Sequence, residues 1–210
     1  MVVAEARVAP AAIADQLRRR IVAQVLPPGS TVTEAYVAAD FGVARPTARS
    51  AIDRLVADGL LRREAHHAAR VPDLGRDEVI DLYDARGVIE SAAVSRLAAV
   101  GSVPESALAA HREFAREPDF ARADIAFHRA LVTGAPGVRL ARMHGVLMGE
   151  VELCIGRVQA AELMSAAHVA AQHQAIIDAV LAGDSAGAAR EMRQHITTSR
   201  DVLLAHLSAE

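Results

Sequence analysis

Along most of this chain apolar residues return every third or fourth position, the period of an amphipathic helix. In residues 41–61, FGVARPTARSAIDRLVADGLL, Ala48, Ile52 and Leu55 form one such stripe, while Arg45 and Arg49 share another face one turn apart. Pro46 falls in the first turn, where its missing N–H costs little, and Gly59 stands where a left-handed residue ends a helix. A helix with an apolar back and arginines near its N-terminus suits the DNA major groove. There Arg binds guanine through two hydrogen bonds or grips phosphate.

Upstream, Ile13, Leu17 and Ile21 predict a helix over residues 11–25, with Arg18, Arg19 and Arg20 on its solvated side. Pro27-Pro28-Gly29 breaks it, and Thr33 caps a short helix over 34–41 that carries Val37 and Phe41 inward and stops at Gly42. Helix, short helix, turn and helix make a helix-turn-helix. Residues 60–72 read as two short strands around 65–69, a β-hairpin wing whose Arg62, Arg63, His66, His67 and Arg70 could touch phosphate or the minor groove. Pro72-Asp73-Leu74-Gly75 is a linker. The remainder predicts about six helices, over 76–100, 104–116, 119–133, 137–160, 164–182 and 185–207. The expected fold is mainly α: a winged helix-turn-helix over 1–72, a linker at 73–76, and an all-helical antiparallel bundle over 77–210.

Composition supports this division. Apolar residues make up 52% of the chain but aromatics only 3%, so small aliphatics must fill the core, which favours helices. All basic residues are arginine. The net charge of −3 argues against nucleic-acid binding until it is divided: residues 1–74 carry ten Arg against eight acids, and the rest thirteen against eighteen. Cys154 is the one cysteine, so neither a disulfide framework nor a cysteine zinc site is available. No leader-like segment opens the chain and no long apolar run crosses it, so a soluble cytoplasmic protein without a membrane partner is expected.

Candidate chemistry lies where polar residues interrupt apolar stripes. Phe120, Phe127 and Leu131 mark a stripe that also contains Asp124 and His128, four apart and able to reach one point. His173 interrupts the stripe of Val169, Ile176 and Val180, and His195 that of Ala188, Met192 and Ile196. Each alone reads as a hydrogen-bonded core histidine. Together, four unpaired buried groups would be costly, and one cation satisfies them all. A metal-free hydrogen-bonded cluster is the alternative. One Asp and three His suit Zn²⁺ first, with Ni²⁺, Mn²⁺ and Fe²⁺ as alternatives. Arg86 and Glu90 share the stripe of Val79, Tyr83 and Ala93, either as an effector-binding pair for a carboxylate or as a structural ion pair. Leu140, Met143, Leu147 and Cys154 read as another core stripe with Glu150 near its rim, and His66, His67, His111, His144, His168 and His206 take no metal role.

These features resemble the GntR family of bacterial transcription regulators, in the subgroup with an FCD domain. The matching runs are TEAYVAADFGVARPTARSAIDRLVADGLL and DEVIDLYDARGVIESAAV, followed by Asp124-x-x-x-His128, His173 and His195. Six rather than seven bundle helices resemble the shorter, vanillate-regulator-like branch. The resemblance implies a homodimeric regulator, expected to be a repressor, on a near-palindromic operator. Its recognition helices would lie about one DNA turn apart, about 34 Å. It implies DNA contacts from Arg45, Thr47 and Arg49, to which the reading of the wing adds His67 and Arg70, and metal ligation by Asp124, His128, His173 and His195. It also implies a small carboxylate effector at Arg86, beside which Glu90 is the second effector-binding candidate from the spacing. The chain departs from the family at Ala35, where Arg is frequent, at Ala44 in place of Ser, at Pro46-Thr47 in place of Thr-Pro, and near Ala68, where the wing has Gly. Ala44 weakens a helix cap by about 1 kcal/mol. Two other readings of the bundle are a metal hydrolase or lyase using the Asp/His₃ set, and a metal sensor without an organic effector. The winged helix would be unexplained in an enzyme, and only Glu90 is left as a general base.

Overall fold

The computed structural model describes residues 9–114 and 120–209. The chain divides into two compact units, residues 1–73 and 74–210.

In the first unit, α1 (Pro10–Val22) and α2 (Glu34–Phe41) both pack on α3 (Arg45–Ala57). Ile13, Leu17 and Ile21 of α1, Val37 of α2, and Ala48, Ile52 and Leu55 of α3 form the buried core, as their spacing requires. The Thr33 hydroxyl accepts from Tyr36 N at 3.1 Å, and Gly42 ends α2 at φ 63°. Helix α1 is shorter than expected, because Gln24 adopts φ 57° ahead of the proline pair. Arg18 and Arg20 pair with Asp58 and Asp40 rather than projecting freely, and Arg20 also covers the Phe41 ring.

The wing differs from the predicted hairpin. Strand β2 (Ala69–Arg70) pairs antiparallel with β1 (Thr31–Val32), an element the apolar pattern did not suggest. The expected partner strand contributes a single bridge, Arg62 to Arg70, closed by two backbone hydrogen bonds of 2.8 and 2.9 Å. Without glycine at the tip, His66 takes the left-handed conformation at φ 65°, and residues 63–68 form an exposed turn instead of ladder.

In the second unit the described residues form six helices: α4 (Arg76–Ala99), α5 (Glu105–Glu113), α6 (Phe120–Gly134), α7 (Val138–Ala160), α8 (Ala166–Leu181) and α9 (Ser185–Leu207). The expected helical residues 115, 116 and 119 lie outside the described residues. Helix α4 is the spine, touching α6, α7, α8 and α9. Its buried face runs from Val79 to Ala98 and carries Arg86 and Glu90 inside it. The buried face of α7 is rotated from the predicted stripe. Met143 is 54% exposed, and the inward positions are His144, Met148, Val151 and Ile155. No described helix is long and apolar enough to cross a membrane.

Candidate metal centre and nucleic-acid interface

Asp124 and His128 lie one turn apart on α6, His173 comes from the middle of α8, and His195 from the middle of α9. All four are buried, and one ligand atom from each falls within 4.8 Å of the others. Backbone position brings them together, since α4 holds all three helices against itself.

The surrounding hydrogen bonds decide which imidazole nitrogens face inward. His128 Nδ1 lies 2.5 Å from Glu90 Oε2, and His195 Nδ1 lies 2.9 Å from Gln172 Oε1. Both partners are acceptors, so both Nδ1 atoms donate outward and both Nε2 atoms are turned toward the centre. Those Nε2 atoms are 3.1 Å apart. Asp124 Oδ1 lies 3.7 Å from His128 Nε2 and 3.2 Å from His173 Nε2. Asp124 Oδ1 and both nitrogens of His173 have no hydrogen-bond partner. His173 is positioned by rings instead: Phe127 stacks on it at 3.9 Å and Phe114 meets it edge-on at 4.9 Å.

Acceptors aimed at one another in an apolar core are unfavourable unless something positive lies between them. Burial pushes the His173 pKa down to about 4 and lowers that of His195, so both imidazoles keep a free lone pair at neutral pH. Burial opposes the charge on Asp124, yet His128, His173 and His195 together hold its carboxyl below the ordinary range. Three imidazole nitrogens and one carboxylate oxygen are a donor set that fits a divalent transition cation, and two of the orphaned atoms, Asp124 Oδ1 and His173 Nε2, meet at its place.

Behind His128 lies a second layer that periodicity found only in part. Glu90 is fully buried. Its Oε1 accepts from Arg86 Nε at 2.8 Å and from His144 Nε2 at 3.0 Å, while Oε2 accepts from His128. Burial disfavours its charge, but Arg86 and His128 hold its pKa well below the usual carboxylate value. With three protein donors on its oxygens, Glu90 is not free to meet an effector; the carboxylate organises its neighbours instead. Arg86 is both things the sequence allowed, since it is paired through Nε while its buried Nη2 has no partner. The apolar stripe of Leu140, Met143 and Leu147 leaves His144 outward, whereas the face that α7 buries carries His144, Met148 and Val151. Gln172 carried no periodic signal beyond its place beside His173.

The cavity next to the centre, lined by Asp124, His195, Ser199, Ile155, Met164 and Val169 among others, measures about 10 Å³. That is room for about one water molecule.

In the first unit Arg45, Arg63, His66, His67 and Glu34 line a groove of about 360 Å³ between the start of α3 and the wing. Thr47 is half-buried, and Arg45, Arg49 and Arg70 are exposed. Arg49 is held by Glu34 through two bonds of 2.6 and 3.2 Å. Among the described residues Arg45 has no ion pair.

A winged helix with arginines on its recognition helix, joined to a helical bundle with a buried polar centre, defines a DNA-binding regulator. Residues 10–71 match the bacterial regulatory proteins of the gntR family, and residues 81–198 match the FCD domain. The chain belongs to the GntR family, with an FCD domain as its C-terminal part; the family comprises transcription regulators, not enzymes. It is 30% identical over 196 residues to the probable D-xylose utilization operon transcriptional repressor of Paenarthrobacter nicotinovorans, covering 88% of this chain and 85% of that one. It is 28% identical to the putative L-lactate dehydrogenase operon regulatory protein of Escherichia coli, over 88% and 82%. A solved putative GntR regulator from Rhodococcus sp. RHA1 shares the fold, with TM-score 0.74, 24% identity, and coverage of 93% and 97%.

Proposed function

We propose that this regulator is a homodimeric repressor of a near-palindromic operator, relieved by a small carboxylic acid that reaches a divalent cation in the bundle. Zn²⁺ is the first choice, with Ni²⁺, Mn²⁺ and Fe²⁺ as alternatives. The observation that carries the reading is the convergence of Asp124 Oδ1 and three imidazoles on one buried point, with unpartnered atoms facing it. Asp124, His128, His173 and His195 would hold the cation, which would supply open coordination positions for a carboxylate oxygen. Arg86, with its free Nη2, would take the other oxygen. The relatives named for xylose utilization and lactate dehydrogenase operons support control of carbon-compound genes. The 10 Å³ cavity requires side chains such as Met164, Val169 and Ile155 to part as the acid enters. The acid would then bind one packing of the bundle better than another, which is the thermodynamic requirement for switching.

On the DNA side, Arg45 and Thr47 of α3 and His67 and Arg70 of the wing would make the contacts. Arg49 would join them by exchanging Glu34 for a phosphate. The test uses operator duplexes selected from a random pool and binding measured by anisotropy at fixed salt. Arg45→Ala should weaken binding at least about tenfold, the loss of one bidentate contact, with metal content unchanged. His173→Ala should lose the metal while the metal-free protein keeps a folded winged helix. Unchanged affinity in the first variant overturns the recognition-helix assignment. Wild-type protein that takes up no divalent cation overturns the sensing assignment.

A further inference from the structure

The outer turn of the wing, residues 63–68, carries little charge of its own beyond one carboxylate. Arg63 is paired with Asp53 of α3 at 2.6 Å, and the Glu64 side chain is 90% exposed. The other polar side chains of the turn are His66 and His67, both exposed, and they are the two histidines of the first unit. The His67 N–H closes the turn on the Glu64 carbonyl at 3.1 Å, while His66 is held in the left-handed conformation at φ 65°. His67 Nδ1 lies 3.0 Å from the Ala65 carbonyl oxygen, which can only accept, so Nδ1 donates and Nε2 is the nitrogen that gains a proton. The charged ring keeps its Ala65 bond and turns a second N–H outward, with no change of rotamer. Since Asp53 cancels Arg63, the turn stands at −1 with both rings neutral and at +1 with both protonated. Two protons reverse the sign that the wing presents to a phosphate.

We propose that His66 and His67 make the wing a proton-responsive arm that grips the DNA backbone in its charged form, so that operator binding takes up protons and tightens as the pH falls through neutrality. The proposal rests on the wing contacts assigned above and adds regulation to them. Both rings share the groove beside α3 with Glu34 of α2, Arg45 of α3 and Arg63 of the wing, and Glu64 Oε2 lies 4.0 Å from His67 Nδ1. Carboxylates and guanidinium groups keep their charge between pH 6 and 8, whereas imidazole changes its own there. The two hydrogen bonds from Arg49 hold the Glu34 carboxyl below its ordinary pKa. DNA phosphates favour the protonated rings, and so does Glu34 once Arg49 leaves it for a phosphate. Imidazole then holds its proton to higher pH on the DNA than in the free protein. The added affinity is complete at pH values below the free titration and is lost as pH rises through the bound one.

The experiment measures the affinity of the full chain for the selected operator duplex by anisotropy at pH 6.0, 7.0 and 8.0, each over a range of salt concentrations. Binding should be at least about tenfold tighter at pH 6.0 than at pH 8.0, with a salt exponent steeper by about 1–2 per protomer from the added phosphate contacts. Calorimetry at pH 7.0 in two buffers of different ionisation enthalpy should show net proton uptake. The double variant His66→Asn, His67→Gln should lose most of both effects, since asparagine accepts the left-handed position. The bundle histidines are unchanged in it, so what it loses belongs to the wing. His67→Arg should instead bind at least about threefold tighter than wild type at pH 8.0, a gain that misfolding does not mimic. Should the double variant fail to fold, His67→Arg and the salt exponents still decide. The inference is overturned by pH dependence that survives in the folded double variant, by equal salt exponents at pH 6.0 and 8.0, by proton release on binding, or by no gain in His67→Arg. Arg45→Ala separates this result from the reading beneath it. If Arg45→Ala weakens binding while the other arms fail, the recognition helix stands and only the proton response falls. If Arg45→Ala binds like wild type, the DNA-contact reading itself is lost, and this inference with it.

Discussion

His128 shows how much of a site can be set by one residue's second nitrogen. Its Nε2 faces the centre because Glu90, on another helix, accepts the hydrogen bond from Nδ1. The pairing of Asp124 with His128 was legible in the sequence, because positions four apart on a helix must share a face. The Glu90 contact was not, because no local spacing relates α4 to α6. His144 lay between: its burial follows from the period of α7, but the apolar residues at 140, 143 and 147 supported a competing register. Cys154 offers a simple check at this scale. Burial pushes its thiol up to about 12, so thiolate is scarce in the folded protein. Disulfide-exchange labelling at pH 8 should be at least about a hundredfold slower in the native protein than in urea-unfolded chain. Comparable rates would show that Cys154 is not enclosed by α7 and its neighbours.

Among the elements, α3 and the wing show opposite degrees of legibility. Pro46, the Ala48-Ile52-Leu55 stripe and Gly59 each act within a few residues, and α3 runs as they dictate, from Arg45 to Ala57. Its one weak point is also local: Ala44 is the N-cap, in extended conformation, and makes no side-chain hydrogen bond. Ala44→Ser should stabilise the first unit by about 1 kcal/mol, a rise of about 4–8 °C in its melting temperature. The Thr47 N–H already donates to the Ala44 carbonyl at 3.0 Å, and no rise would mean that this backbone bond leaves nothing for a serine hydroxyl to add. The wing depended on distance in sequence. Strand β2 finds its partner at β1, about forty residues earlier, and the hairpin suggested by alternation shrinks to one bridge. Two-residue strands carry too little pattern to announce a non-local partner. Helix α7 is a third case. From Met148 to Val158 it is buried on nearly every side, so its apolar period no longer marks one inward face.

At the scale of the whole molecule, the polar centre sits in the bundle, and a cation there should stabilise that unit alone. Zn²⁺ at a free concentration of about 100 times its dissociation constant should add about 2.7 kcal/mol. Amide hydrogen exchange should slow in α6, α8 and α9 on adding Zn²⁺ and stay unchanged in α1. Equal slowing in both units, or none, would argue against a cation held by Asp124 and the three histidines. The two-part organisation, a helical class for each part, and most of the helices were determined by the sequence alone. Burial period, breaker residues and caps act over a few positions, and each is written where it acts. Which polar groups meet, and which imidazole nitrogen turns inward, were decided only by tertiary packing. Those properties belong to distances between helices, and such distances exist only once α4 has gathered α6, α7, α8 and α9 around it.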